Sequence, residues 1–170
     1  MPSDVVKDLG LLTLGTRLKR LGDRLQAQTQ PLLEGHGIEA PVSLQPVLAA
    51  LHHLGPLSVG DMALALGLSQ PAVTRQLTKL QAMGWVSARL NSADLRLRTV
   101  ELTPHGREQV DRAHQLAWPR VRAAVADACG PDGQRLLDCI AALEDALAAK
   151  ELVHRATAPA TSSGDPHAST

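Results

Sequence analysis

The apolar residues of this chain change their spacing abruptly at Gly84. Before this glycine they recur every three or four positions, which is the spacing of one face of a helix. These residues are Val73, Leu77 and Leu80. After Gly84, apolar and polar residues alternate over 86–90 and again over 100–102, on either side of a polar tip, as in a half-buried hairpin. The sequence therefore predicts a helix that leads directly into a two-stranded β-hairpin.

A second short helix precedes this one in the sequence. Residues 62–66 are barely two turns of apolar sequence before Gly67, a residue type that often ends helices. Ser69 can cap the next helix, and Pro71 lies in its first turn, where the missing N–H costs little. Two short helices joined by a tight turn form a helix-turn-helix. With the hairpin after it, this segment is predicted to be a winged helix.

Longer helices are predicted on both sides of this segment. The first covers about 5–30, ends at Pro31 and has an apolar stripe suited to core or dimer packing. The stripe consists of Leu11, Leu14, Leu18, Leu21 and Leu25. Another helix covers about 43–54. Thr103 and Pro104 are typical of a helix start, and helices are predicted over about 104–129 and 132–154. The fold class is mainly α, with one domain over 1–155 and a disordered tail over 156–170.

Charge is distributed unevenly along the chain, although the 170 residues have a formal net charge of +0. Residues 69–107 contain six Lys or Arg and two acidic residues, whereas residues 132–170 contain three and six. Two Trp and no Phe or Tyr leave few rings on which single-stranded bases could stack. With no signal peptide or apolar membrane span apparent, we expect a cytoplasmic protein with no membrane partner.

The winged-helix segment contains side chains suited to duplex DNA. Gln70 can make bidentate hydrogen bonds to adenine, and Arg75 can make them to guanine. We expect Thr74 to contact a base edge or a phosphate. Ser69 and Lys79 are candidates for phosphate contacts. In the hairpin, Arg96 and Arg98 are candidates for phosphate or minor-groove contacts. Asp94 is placed to hold Arg96 by a charge-assisted hydrogen bond.

Residues 57–106 resemble the winged-helix core of the MarR family of transcriptional regulators. The resemblance depends on the order and spacing of several short motifs. They are the turn at 66–69, Val73-Thr74-Arg75, Leu77 with Leu80, Gly84-Trp85-Val86, Asp94-x-Arg96 and Leu102-Thr103-Pro104-x-Gly106. The helix layout on either side extends the similarity to nearly all of the chain except its tail.

The resemblance implies a fold and a mode of action. It implies a DNA-binding lobe over about 43–103 and dimerisation helices over about 5–30 and 104–154. It also implies that Gln70, Pro71, Thr74 and Arg75 face the major groove, with Asp94 and Arg96 in the wing. We therefore expect a homodimeric regulator, a repressor, that binds a palindromic operator and is released by a small-molecule effector. No catalytic motif is present, so we expect a non-enzyme without cofactors.

Several alternatives remain open at this stage. Cys129 and Cys139 are candidates for a redox switch, although buried inert thiols are commoner. Adjacent His52 and His53 are expected to point apart, so no metal site is predicted, although a metal sensor of this fold is an alternative. Trp118 is a candidate for lining a ligand pocket or for anchoring the core. A winged helix can also act purely as a protein-interaction module.

Overall fold

The computed structural model describes residues 3–90 and 98–156. The chain forms two compact units, Met1–Ala124 and Val125–Thr170. In chain order, the elements are α1 (Val5–Asp8), a 3-10 turn (Gly10–Thr13), α2 (Leu14–Glu34), a 3-10 turn (Val42–Leu44), α3 (Gln45–Leu54), β1 (Leu57–Ser58), α4 (Val59–Leu66), α5 (Gln70–Ala82), β2 (Val86–Leu90), β3 (Arg98–Leu102), α6 (Pro104–Arg112), a π-helical segment (Ala113–Ala117), α7 (Trp118–Cys129), a 3-10 turn (Gly130–Asp132), α8 (Gly133–Ala149) and α9 (Leu152–Ala156).

Helices α4 and α5 form the predicted helix-turn-helix. Each ends in a left-handed glycine, Gly67 with φ of +62° and Gly84 with φ of +72°, a conformation that a side chain would disfavour. In each case the residue after the glycine donates its N–H to a carbonyl in the last turn, Leu68 to Ala63 at 3.0 Å and Trp85 to Leu80 at 2.9 Å. These are Schellman bonds, so both helices end sharply where the sequence predicts.

The wing is a three-stranded antiparallel sheet in the order β1-β3-β2. Strands β2 and β3 form the predicted hairpin, with Val86 opposite Leu102 and Leu90 opposite Arg98. Strand β1 is an addition to the prediction, and its Leu57 pairs with Val100. Two residues are too few to show an alternation of apolar and polar side chains. They become a strand because they pair with the edge of β3 that would otherwise be open. Strand β1 precedes α4 and strand β2 follows α5. Because β3 pairs with both strands, it ties the two ends of the helix-turn-helix to one sheet.

The first predicted helix differs from the structure at both ends. The 3-10 turn at Gly10–Thr13 divides it, and α2 continues through Pro31 to Glu34. Proline normally ends a helix because it lacks an N–H and crowds the preceding turn. Here Leu33 is 1% exposed, and the Gln30 side-chain oxygen accepts the Val42 N–H at 2.8 Å. This packing holds the last turn in place beyond the proline.

The C-terminal half also contains more segments than the spacing predicts. The π-helical segment divides the helix predicted over 104–129, immediately before Trp118 and Pro119. Its wider turn accommodates the proline ring and the missing N–H without ending the helix. The last predicted helix ends at Ala149, and α9 follows separately. The tail predicted over 156–170 lies outside the described residues, apart from Ala156.

A core forms among α3, α4, α5, the sheet and α6 in the first unit. It includes the inner faces predicted for α3 and α5. Those residues are Val47, Leu48, Leu51, Val73, Leu77 and Leu80. The leucine stripe of α2 does not join this core, since Leu21 is 48% and Leu25 38% exposed. Among the residues that the structure describes, no helix is long and apolar enough to cross a bilayer.

Candidate nucleic-acid interface

Helix α5 has one buried and one exposed face. The buried face packs under α3, α4 and the sheet, and Val73 and Leu80 are fully buried. The opposite face contains the side chains predicted to contact DNA, and all of them are exposed. They are Gln70, Pro71, Thr74, Arg75 and Lys79. Because burial fixes the inner face, the outer face is presented to solvent in a defined orientation.

The start of α5 is fixed by its cap. Ser69 accepts the Ala72 N–H at 3.4 Å through its hydroxyl oxygen, and Pro71 occupies the first turn. The Thr74 hydroxyl donates to the Gln70 carbonyl at 2.9 Å, so its proton is already engaged within the helix. Its oxygen remains available to accept a hydrogen bond. The cap makes the first turn of α5 rigid enough to present side chains in fixed positions.

Arg75 and Lys79 are the exposed cations of α5. Within 3–90 and 98–156, no hydrogen bond or ion pair engages either side chain. Gln70 lies closer to its neighbours, because its amide nitrogen is 3.8 Å from where a Cβ on Gly60 of α4 would be. The α5 surface therefore offers two free positive charges and an amide that packs against the preceding helix.

The base of the wing contains two of the basic residues of this segment, Arg89 and Arg98. Arg89 of β2 and Glu101 of β3 form an ion pair across the hairpin, at 3.1 Å between Nε and Oε1. Arg98 begins β3, opposite Leu90. The other wing candidates, Asp94 and Arg96, lie outside the described residues. The DNA contacts predicted for the wing therefore stay predictions.

Known proteins share both the sequence pattern and the fold. The sequence model of the MarR family matches residues 46–97. The Bacillus subtilis (strain 168) protein YdgJ, described as an uncharacterised HTH-type transcriptional regulator, is 27% identical over 99 residues, which are 58% of this chain and 60% of that protein. A crystal structure of the M. tuberculosis transcriptional regulator MosR in complex with DNA is 26% identical with a TM-score of 0.68, over 81% of this chain and 97% of that one.

The chain therefore has a winged helix-turn-helix fold, and its residues 46–97 are similar to the MarR family of transcriptional regulators. Another structure of the same fold is that of Bordetella bronchiseptica BpsR, whose DNA binding is regulated by 6-hydroxynicotinic acid. It is 23% identical with a TM-score of 0.63, over 77% of this chain and 91% of that one. These similarities confirm the predicted winged helix-turn-helix and its mainly helical class.

The chain has an open groove between the wing base and α6. Its volume is about 820 Å³, and one face of α6 and the π-helical segment forms its floor. Arg89 and Glu101 lie at its wing side, and Arg107, Arg112 and Leu116 lie at its helix side. Sequence spacing gives no sign of this groove, because its two walls come from elements that meet only through folding.

Trp118 is an anchor between helices. Its indole N–H donates to the Gln45 side-chain oxygen at 3.1 Å, and Gln45 in turn donates to the Ala40 carbonyl at 3.2 Å. Edge-on contacts to His52 and His114, at 6.2 and 5.6 Å between ring centroids, complete its surroundings. These contacts favour packing over ligand binding for Trp118.

The histidines lie differently from the prediction. His52 and His53 do not point apart, since their ring centroids are 5.2 Å from each other. The ring of His114 joins them, with its centroid 5.0 Å from that of His52, and Oδ1 of Asp111 is 3.6 Å from Nδ1 of His52. The contact between α3 and α6 creates this cluster, so residue spacing along one helix could not reveal it.

The two cysteines are both free thiols in the second unit. Cys129, the last residue of α7, is half-buried, and Cys139 on α8 is exposed. Neither is joined by a disulfide. Their suggested redox role stays a prediction.

Proposed function

We propose that this chain is a homodimeric, sequence-specific regulator that represses transcription by binding double-stranded DNA. The exposed face of α5 is the observation that carries this proposal. Arg75 and Gln70 are assigned to base edges, Thr74 to a base edge or a phosphate, and Ser69 and Lys79 to phosphates. Each bidentate contact to a base would contribute about 1–3 kcal/mol of discrimination against the wrong base. The MosR structure, solved with DNA, shares the fold that presents this face.

The distribution of charge supports a DNA-binding lobe over about 43–103. Residues 69–107 have six basic and two acidic residues, so this part of an otherwise neutral chain is positive. Arg96 and Arg98 of the wing would add phosphate or minor-groove contacts, with Asp94 positioning Arg96. Neutralising phosphates releases counterions, which makes affinity strongly dependent on salt.

A dimer is supported by the exposed leucines of α2. Leu18 and Leu21 are 40% and 48% exposed, and the stripe continues to Leu25. Monomeric proteins seldom leave a continuous apolar stripe in water. We assign the helices at about 5–30 and 104–154 to dimerisation. Two copies would then present α5 to half-sites about one helical turn apart, on a palindromic operator.

Release by a small molecule is the regulatory part of the proposal. The groove between the wing base and α6 is open, and no ion pair or hydrogen bond engages the Arg107 guanidinium within the described segments. A ligand in this groove would contact both the wing and a helix assigned to dimerisation, and could favour one spacing of the two lobes. BpsR, which has the same fold, is regulated by an aromatic acid.

Gel-shift titration against the DNA that flanks the chain's own coding region tests the DNA-binding proposal. We expect Arg75→Ala to relax sequence preference by roughly tenfold at one base pair, equivalent to about 1.4 kcal/mol. Arg96→Ala should lower the affinity for all DNA sequences by nearly the same factor. Glu39→Ala is the control and should change neither, because Glu39 is exposed and lies outside both the DNA-binding lobe and the helices assigned to dimerisation. If Arg75→Ala and Arg96→Ala both bind the operator as the parent chain does, the assignment of these two side chains to DNA contacts is refuted.

Salt separates DNA binding from a purely protein-binding winged helix. We expect the logarithm of operator affinity to fall linearly with the logarithm of salt concentration, with a slope set by the number of phosphates contacted. An apolar protein contact would show little salt dependence. A flat salt profile would therefore favour the protein-interaction alternative.

Aromatic carboxylic acids, with 6-hydroxynicotinic acid among them, are suitable probes of the groove. We expect at least one of them to raise the melting temperature of the protein and to weaken operator binding. Arg107→Ala should remove both effects, while Glu39→Ala, outside the groove, should leave them intact. If no acid that binds the protein changes operator affinity at any concentration, release by this class of effector is refuted.

A further inference from the structure

We infer that α2 of one copy of this chain packs on α8 of a second copy, with Arg17 and Arg24 of the first copy facing Glu144 of the second. This inference rests on the proposed dimer and names the helix faces that meet in it. Both helices have exposed leucines, among them Leu21 on α2 and Leu136 on α8, at 48% and 43% exposure. Apolar side chains that form a row on a helix surface are typical of a face that another chain covers.

Arg17 and Arg24 lie at the edge of the leucine stripe of α2. Leu21 is four positions after Arg17 and three before Arg24, so the three side chains are neighbours on the helix surface. The two arginines are one heptad apart, which is about 10 Å along the helix axis. Both are exposed, and within 3–90 and 98–156 no hydrogen bond or ion pair engages either side chain. Their guanidinium groups are therefore available to a carboxylate from another chain.

The other two cations of α2 already have carboxylate partners. Lys19 is paired with Asp23, at 2.6 Å between Nζ and Oδ2. Arg20 donates to both carboxylate oxygens of Asp4, at 3.1 and 2.9 Å. Helix α2 lies wholly within the described part of the chain, and of its four cations the two without a partner are those that flank the leucines.

Glu144 occupies the corresponding position on α8. It lies four positions after Ile140 and three before Leu147, so it borders the apolar stripe of that helix. Its side chain is exposed and has no ionic or hydrogen-bonded partner among the residues that the structure describes. Helix α8 contains one Arg and three acidic residues, whereas α2 contains four basic and two acidic residues. The two helices therefore have charges of opposite sign.

This difference in charge favours α8, rather than a second α2, as the surface that meets α2. Packing two copies of α2 against each other would bring like charges together beside the leucines, which costs free energy. Packing α2 on α8 instead brings unpaired arginines to an unpaired glutamate. Charged side chains beside an apolar seam determine which faces pair and in what register, more than they add to affinity.

Charge-reversal variants of the full chain, measured without DNA by sedimentation and native mass spectrometry, test this pairing. We expect Glu144→Arg, and separately Arg17→Glu combined with Arg24→Glu, to raise the dissociation constant of the homodimer by about tenfold or more. An equimolar mixture of these two variant proteins should form mainly heterodimers, because opposite charges then meet at both contacts. All three substitutions in one chain should restore the homodimer. Asp145→Arg is the matched control and should associate as the parent chain does, because Asp145 points away from the apolar stripe of α8.

The outcomes separate this pairing from the dimer itself. If the parent chain is a dimer and the mixture contains homodimers and heterodimers in random proportions, the pairing is overturned while the proposed dimer stands. If Arg17→Glu combined with Arg24→Glu strengthens the homodimer, α2 meets another α2 and the inference is overturned. A monomeric parent chain overturns the dimer and the pairing together. Since no DNA is present, these outcomes are independent of the proposed DNA binding.

Discussion

At the scale of single residues, one threonine and two glycines set the geometry of the junction after the wing. Thr103 accepts the Gly106 N–H at 3.0 Å and donates its hydroxyl proton to the Gly84 carbonyl at 2.7 Å. One threonine thus caps α6 and fastens it to the glycine that ends α5. Gly106 lets this junction close, because a Cβ there would lie 1.9 Å from the Trp85 carbonyl oxygen.

Gly106→Ala tests the close approach. The added methyl meets backbone rather than a movable side chain, so α6 must shift away from the α5–β2 junction. We expect the free energy of unfolding to fall by about 3 kcal/mol, the upper part of the range for overpacking. Urea unfolding followed by circular dichroism measures it. Gly15→Ala, where nothing lies within 4 Å of the new Cβ, should cause no loss.

Thr103→Ala removes the cap and the tie to Gly84 together. We expect a loss of about 1–2 kcal/mol in the free energy of unfolding, the cost of deleting a helix cap. Thr103→Ser keeps the hydroxyl and should retain most of the stability. Equal losses in both variants would mean that the threonine methyl, rather than either hydrogen bond, accounts for the effect.

At the scale of elements, α5 shows how one helix can serve packing and function without conflict. Its inner face is buried in the core, and its caps fix where it starts and ends. The outer face is then free to vary in sequence without altering the fold. Helices α2 and α7 each contain a proline that does not end the helix. Pro31 of α2 is accommodated by packing, and Pro119 of α7 by the wider π-helical turn before it.

Leu80→Ala tests the inner face of α5. Leu80 is fully buried, so removing most of its side chain leaves a cavity beneath the DNA-facing surface. We expect the free energy of unfolding to fall by about 2–5 kcal/mol. Gln81→Ala, next to it and exposed, should stay within about 0.5 kcal/mol of the parent. Protein concentration must be the same in all samples, because subunit association would add to stability.

At the scale of the whole molecule, a large apolar surface is left outside the core. The leucines of α2 have the spacing of a packing face, yet the chain buries them only partly by itself. Exposed leucines recur on α8, where Leu136 is 43% and Leu137 60% exposed. These surfaces lie on the helices that we assign to dimerisation, so the proposed dimer would cover them.

Leu21→Glu tests this assignment. A charge in a buried apolar interface would be unpaired, so we expect the variant to sediment as a monomer and to lose operator affinity by more than tenfold. Analytical ultracentrifugation and gel shift measure the two effects. Leu64→Glu is the control for association, since Leu64 is 83% exposed on α4, within the proposed DNA-binding lobe. A dimeric Leu21→Glu protein would contradict the assignment of α2.

Local signals in the sequence determined the helix-turn-helix. Helix caps, left-handed glycines and the change of period at Gly84 act within a few residues. Gly67 therefore marks the end of α4, Ser69 the start of α5 and Thr103 the start of α6. The hairpin follows from alternation for the same reason. The exposed face of α5 could also be predicted from the sequence, because the apolar residues that identify the buried face of a helix also identify which residues lie on the opposite face.

Tertiary structure alone decided the rest. Strand β1, the groove beside α6 and the histidine cluster each join segments that are far apart in sequence, and residue spacing within one segment has no information on such pairings. The continuation of α2 past Pro31 depends in the same way on what Leu33 and Gln30 contact. Whether an apolar stripe becomes core or remains on the surface is likewise a property of the folded chain, because it depends on which other elements reach it.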